Sequence, residues 1–70
     1  PMVDHAVKPG QIWRSNDDGN EWLVTRTYSE FLDSYAVLRK AGGPSEDSCR
    51  VRIEDDPQGQ TLPGFTLVEG

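Results

Sequence analysis

Tyr28-Ser29-Glu30-Phe31-Leu32-Asp33-Ser34-Tyr35-Ala36-Val37-Leu38-Arg39-Lys40 is the stretch on which the fold turns. Phe31, Leu32, Tyr35, Ala36 and Leu38 recur at three- and four-residue intervals, the period of one helix face. Ser29-Glu30 could serve as a helix start. The same stretch also holds residues 34–39, a short run of strand-forming side chains, and Gly42-Gly43 would end either element. The strand reading is taken, with a helix as its competitor.

The neighbouring segments favour strands. In residues 48–54, Cys49, Val51 and Ile53 alternate with Ser48, Arg50, Arg52 and Glu54, so one face is apolar and the other charged, as in a half-buried strand. On the other side, Trp22, Val24 and Tyr28 share a period of two that Arg26 interrupts, which implies a bend or bulge. Asp17-Asp18-Gly19-Asn20 tolerates positive φ and reads as a tight hairpin turn. Glycine and proline punctuate the rest at short intervals, leaving five expected strands at residues 11–14, 21–28, 34–40, 48–54 and 65–68. Their expected core is Ile12, Trp22, Val24, Val37, Val51, Ile53, Phe65 and Leu67.

Seventy residues, 34% of them hydrophobic, make one small domain with a small core. Five short antiparallel strands cannot bury a flat sheet on one side without exposing its edges, so they are expected to curl into a small all-β, five-stranded SH3-like barrel. An oligonucleotide-binding barrel also has five strands, but usually needs a longer chain and a helix. The domain is expected to span residues 9–70 behind a flexible tail of residues 1–8. Pro1 before Met2 reads as a vector-derived residue.

Twelve acidic against seven basic residues give a formal net charge of −5, which disfavours a duplex nucleic acid as direct partner. No run approaches the ~18 apolar residues of a membrane span, and residues 1–10 lack the apolar centre of a signal peptide. One cysteine precludes an internal disulfide and fits a reducing compartment. The expectation is a cytoplasmic protein.

Catalytic sets are missing. No glycine-rich phosphate loop is present, so no nucleotide cofactor is expected. Cys49 lies on an apolar strand face and His5 in the tail, which gives the thiol no positioned base. Two Cys or His residues cannot build a structural zinc site. With Gly19 at the sixth position of a calcium loop, the first and twelfth ligands would be Arg14 and Thr25, neither able to serve. Glu54-Asp55-Asp56 reads as a solvated turn. Neither an enzyme, a cofactor nor a metal is expected.

Six aromatic residues are many for this length. Trp13 and Trp22 flank the first hairpin and read as core. For Tyr28 and Tyr35, surface recognition and packing stay open. Arg26, Arg39, Lys40, Arg50 and Arg52 fall on three successive strands, either as a positive stripe or in cross-strand pairs with acidic neighbours.

The opening Lys8-Pro9-Gly10-Gln11-Ile12-Trp13, the later Trp22-Leu23-Val24 and the ending Phe65-Thr66-Leu67-Val68-Glu69 resemble small uncharacterised proteins of actinobacteria and their phages. The resemblance implies an SH3-like barrel, a bacterial or phage setting, and an accessory or inhibitor role without catalytic residues. The expected function is binding of a protein partner through the outer surface, centred on Arg26, Tyr28, Tyr35, Arg39 and Arg52, because tyrosine and arginine supply contact area at low entropic cost. The alternative is a nucleic-acid mimic using Asp17, Asp18, Glu21, Glu46, Asp47, Glu54, Asp55 and Asp56. Exposed barrel edges would also allow a homo-oligomer.

Overall fold

In the computed structural model, which describes residues 6–43 and 47–70, the stretch from Tyr28 to Lys40 is the turn and second arm of a β-hairpin. Strand β1 (Ile12–Ser15) leads to β2 (Glu21–Glu30) and β3 (Asp33–Lys40). These are followed by β4 (Ser48–Arg52), β5 (Glu54–Asp56), β6 (Gly59–Thr61) and β7 (Phe65–Glu69). The helical spacing loses because β3 is sandwiched between two partners. Its alternation buries Ala36 and Leu38 completely on one side and sends Tyr35, Val37 and Arg39 to the other. No helix among the described residues is long and apolar enough to cross a membrane.

The all-β, antiparallel expectation holds, with seven strands among the described residues in place of five. One sheet has the order β4-β3-β2-β1-β7, and β5 pairs only with β6 in a second, two-stranded sheet. No pairing joins the two edge strands, β4 and β7, so the sheet does not close into a complete barrel. At Ile53 the N–H still donates to the Ser34 carbonyl at 2.8 Å and the side chain is buried in phase with Cys49 and Val51; beyond it the chain leaves the sheet to form the β5–β6 hairpin. The acidic run Glu54-Asp55-Asp56, read as a turn, is therefore strand β5, opposite Gly59-Gln60-Thr61.

The predicted irregularity near Arg26 is present as a register shift between Val24 and Arg26. Thr25 is the inserted residue, and its hydroxyl donates to the Val37 carbonyl at 3.1 Å. The first hairpin turns where expected, with Gly19 at φ 77° and its N–H bonded to the Ser15 carbonyl at 2.9 Å. Asn20 N–H donates to Asp18 Oδ1 at 2.9 Å, and this bond to the ionised form holds the exposed Asp18 carboxyl below its ordinary range.

The core is Val7, Trp13, Val24, Ala36, Leu38, Ile53 and Leu62, with Trp22, Cys49, Val51 and Phe65 packed against it. Three expected core residues lie elsewhere. Ile12 and Val37 sit one residue out of phase with Trp13 and Ala36, so the pleat turns them to the opposite face, and Leu67 is 38% exposed. Trp13 stands directly opposite Trp22, as the hairpin predicted.

The described part of the tail is docked rather than flexible. Val7 is buried, its N–H donates to Gln60 Oε1 at 3.0 Å, and Gln11 ties the segment down. Gln11, buried itself, accepts from Lys8 N–H at 2.9 Å and from Trp13 Nε1 at 3.1 Å while donating to the Ala6 carbonyl at 3.0 Å. Pro1, His5 and Glu46 lie outside the described residues.

Candidate functional site

Residues that pair across antiparallel strands project to the same face, so the register alone assembles a site. Leu23 lies opposite Arg39, Arg26 opposite Val37, and Tyr28 opposite Tyr35. On the next rung outward, Val37 lies opposite Arg50 and Tyr35 opposite Arg52. Arg14 joins them through its pairing with Glu21, in phase with Ile12 opposite Leu23. All five arginines of the chain, Arg14, Arg26, Arg39, Arg50 and Arg52, therefore share the sheet face turned away from the core. The five expected binding residues, Arg26, Tyr28, Tyr35, Arg39 and Arg52, all lie on that face. Lys40, counted in the basic stripe, pairs with Trp22 and lies on the core side instead.

At the centre is a stack of four side chains. The Tyr28 and Tyr35 rings are 5.4 Å apart between centroids and 26° from parallel. Arg26 covers Tyr28, with its guanidinium carbon 5.0 Å from the ring centroid, and Arg50 covers Tyr35 at 4.8 Å. Arg50 Nη1 also donates to the Tyr28 hydroxyl at 3.1 Å, which stabilises the charged guanidinium and raises its pKa. Stacking and cation–π contact each contribute ~0.5–1 kcal/mol, which biases these long side chains toward this arrangement.

The arginines differ in what already engages them. Arg52 makes both ion pairs among the described residues, to Asp33 at 3.5 Å and to Glu54 at 3.4 Å. For Arg52 the cross-strand pairing reading is correct. Arg26 and Arg39 are exposed and make no ion pair among the described residues, so their charge is presented outward. The exposed acidic residues Asp17, Asp18, Asp55 and Asp56 sit on two hairpins, whereas Glu21, Glu30 and Asp33 share this face by register.

Cys49 packs against the core from β4, and burial pushes its thiol pKa up, away from the thiolate a nucleophile needs. No family model matches the chain, and neither a curated protein nor a solved structure matches it.

The sequence reading missed the hairpin tip. Phe31 and Leu32 form the two-residue connection between β2 and β3, and they are 97% and 101% exposed. Their helical spacing with Tyr35 and Leu38 made a helix the competing reading of this stretch. The signal that marks them as a tip is the pair of short polar residues flanking them, Ser29-Glu30 and Asp33-Ser34, which the register sets opposite one another.

Proposed function

We propose that this protein is a non-enzymatic interaction module that binds a protein partner through the outer face of its five-stranded sheet. The observation that carries the reading is the Arg26–Tyr28–Tyr35–Arg50 stack. Tyrosine and arginine are the side chains that dominate interface energetics, and here they are ordered in advance, so binding immobilises little that is still free. Arg26 and Arg39 direct the face toward an acidic patch on that partner. The raised thiol pKa of Cys49 argues against a nucleophilic role for that residue.

Single-stranded nucleic acid fits less well. Base stacking needs an open ring face, whereas the two tyrosine rings already stack on each other and each has a guanidinium over it. The net charge of −5 works against a polyanion as well. The finer architecture belongs to the same proposal. A last strand returned beside the first, with a hairpin and the N-terminal segment packed on the core, supports an SH3-like barrel left open between β4 and β7. A cytoplasmic bacterial or phage accessory protein is the setting we favour, on the resemblance of the Pro9-Gly10-Gln11-Ile12-Trp13 opening.

The test is affinity capture from a bacterial lysate with the full chain as bait, followed by a binding titration with the captured protein. Tyr35→Ala combined with Arg50→Ala should abolish capture while the fold persists. Neutralising Asp17, Asp18, Asp55 and Asp56 to asparagine should leave it intact. The reverse pattern would replace this reading with the nucleic-acid mimic.

A further inference from the structure

Phe31 stands at φ 58°, and it is the only non-glycine residue with positive φ among those described. Positive φ at the first central position of a two-residue hairpin is where glycine belongs; a Cβ there crowds the backbone. The bulky ring gains nothing in return within the chain, because Phe31 is 97% exposed and Leu32 beside it 101%. A turn that folding alone would furnish with Gly and a polar residue thus carries two large apolar side chains at the end of the hairpin. The tip lies only three rungs beyond the Tyr28–Tyr35 stack, through Ser29 opposite Ser34 and Glu30 opposite Asp33.

The surroundings of the tip define what can cover it. Glu30 and Asp33 flank it directly, and a cleft of about 370 Å³ beside Leu32 is lined by Asp33, Glu54, Asp55 and Ile53 with Arg52, which pairs with Asp33 and Glu54 and leaves Glu30 and Asp55 without an ion pair among the described residues. An anionic lipid surface would be repelled by these carboxylates. A second copy of this chain offers a groove lined by Trp13, Phe65 and Leu67, but Asp56 lines it too, and the chain carries −5 overall. The complement that fits is an apolar socket with a lysine or arginine on its rim, the socket taking Phe31 and Leu32 and the cation entering the acidic cleft.

We propose that Phe31 and Leu32 are an anchor that inserts into an apolar, cation-rimmed socket on the protein partner. This rests on the reading of the sheet face as a protein-binding surface and adds a second, chemically distinct contact. Small exposed apolar anchors of this kind concentrate binding energy because the socket removes all of their surface from water.

The experiment places the photo-crosslinking residue p-benzoylphenylalanine at Phe31 in one full-length sample and at Ser48, on the sheet face beside Arg39, in another. Both are irradiated with the lysate used for capture, and the attachment sites are sequenced. Attachment from position 31 to apolar residues flanked by lysine or arginine, on the protein that position 48 also labels, supports the anchor. Labelling from position 48 alone overturns it and leaves the sheet-face reading standing. Attachment from 31 to a second copy of this chain, or binding of the wild-type chain to phosphatidylglycerol vesicles that fails in Phe31→Gly/Leu32→Ser, also overturns it. Silence from both positions removes both readings. As a second measurement, Phe31→Gly/Leu32→Ser should weaken the captured partner at least tenfold while its melting temperature stays equal or rises; unchanged affinity would refute the anchor.

Discussion

Tyr28 and Tyr35 face each other across the β2–β3 pair with ring centroids 5.4 Å apart, and the Tyr28 hydroxyl accepts a hydrogen bond at 3.1 Å from Arg50, the residue that covers Tyr35. Three strands are thereby tied together on the solvent side of the sheet, where ordinary surface residues would move independently. The arrangement stabilises modestly and presents two rings and two guanidinia in a fixed pattern.

Tyr35→Ala removes the ring stack and the cation–π contact of Arg50 at once. The expected loss is about 1–2 kcal/mol, with the variant still folded. Tyr28→Phe keeps the stack and removes only an exposed acceptor, so it should cost under ~1 kcal/mol. Urea denaturation of the two variants checks the ordering. Equal and negligible effects would mean that the stack adds no stability.

Leu38 and Val37 are neighbours on opposite faces of β3. Leu38 is fully buried, and Leu38→Ala should cost about 2–5 kcal/mol, close to the whole stability of a domain this small. The variant should be largely unfolded by circular dichroism. Val37→Ala, on the outer face opposite Arg26 and Arg50, should cost under ~1 kcal/mol. A folded Leu38→Ala with an unfolded Val37→Ala would invert the assignment of faces.

Much of this architecture was legible because the pleat leaves a period-two trace wherever one face is wet. Cys49, Val51 and Ile53 were placed correctly on that basis, and the insertion at Thr25 was legible from the break in phase at Arg26. In β3 the alternation is hidden, since Tyr35, Val37, Ala36 and Leu38 are all apolar or amphipathic and only neighbouring strands reveal which pair points inward. The β5–β6 hairpin was illegible for a different reason. It is three residues long on each side, Glu54-Asp55-Asp56 contains no strand-forming side chain, and long-range packing around Leu62 and Val7 fixes it. The five binding candidates were readable as tyrosines and arginines, but their convergence on one face depends on register, which no single segment encodes.

Gln11 is the polar hub of the N-terminal segment. Gln11→Ala leaves Trp13 Nε1 and Lys8 N–H without their acceptor and the Ala6 carbonyl without its donor, at an expected cost of about 1–3 kcal/mol. Deleting residues 1–8 removes the buried Val7 as well and should destabilise by at least ~1.5 kcal/mol. Thermal melting decides this, and an unchanged midpoint in the deletion would show that the segment is dispensable.

Cys49 gives the fold a testable alkaline dependence. Burial disfavours the thiolate, so the folded-state pKa lies above the unfolded one. Stability from this source is complete below the unfolded pKa and falls as pH rises past ~8.5, since the unfolded chain then releases the proton more readily. The wild-type chain should lose stability relative to Cys49→Ala between about pH 8 and 10, and the two curves should run parallel below that range. Slow alkylation of the native thiol at neutral pH would accompany it.

The arginines of the outer face should contribute unequally to partner binding, in the order set by their existing partners. Arg50 holds both tyrosines, so Arg50→Ala disorders the centre of the face and should cost about 2 kcal/mol in affinity, roughly thirtyfold. Tyr35→Ala should match it. Arg39 has no ion pair among the described residues and Arg26 only its ring, so each offers charge that is still unspent, and their removal should weaken binding several-fold and flatten its salt dependence. Arg52 is already shared between Asp33 and Glu54, so Arg52→Ala should cost least of the four arginines while freeing two carboxylates beside the hairpin tip. Titrations of these variants at two ionic strengths resolve the ranking. If Arg52→Ala proves the most damaging, the face does not bind through its tyrosine stack, and recognition has moved to the acidic cleft that Arg52 borders.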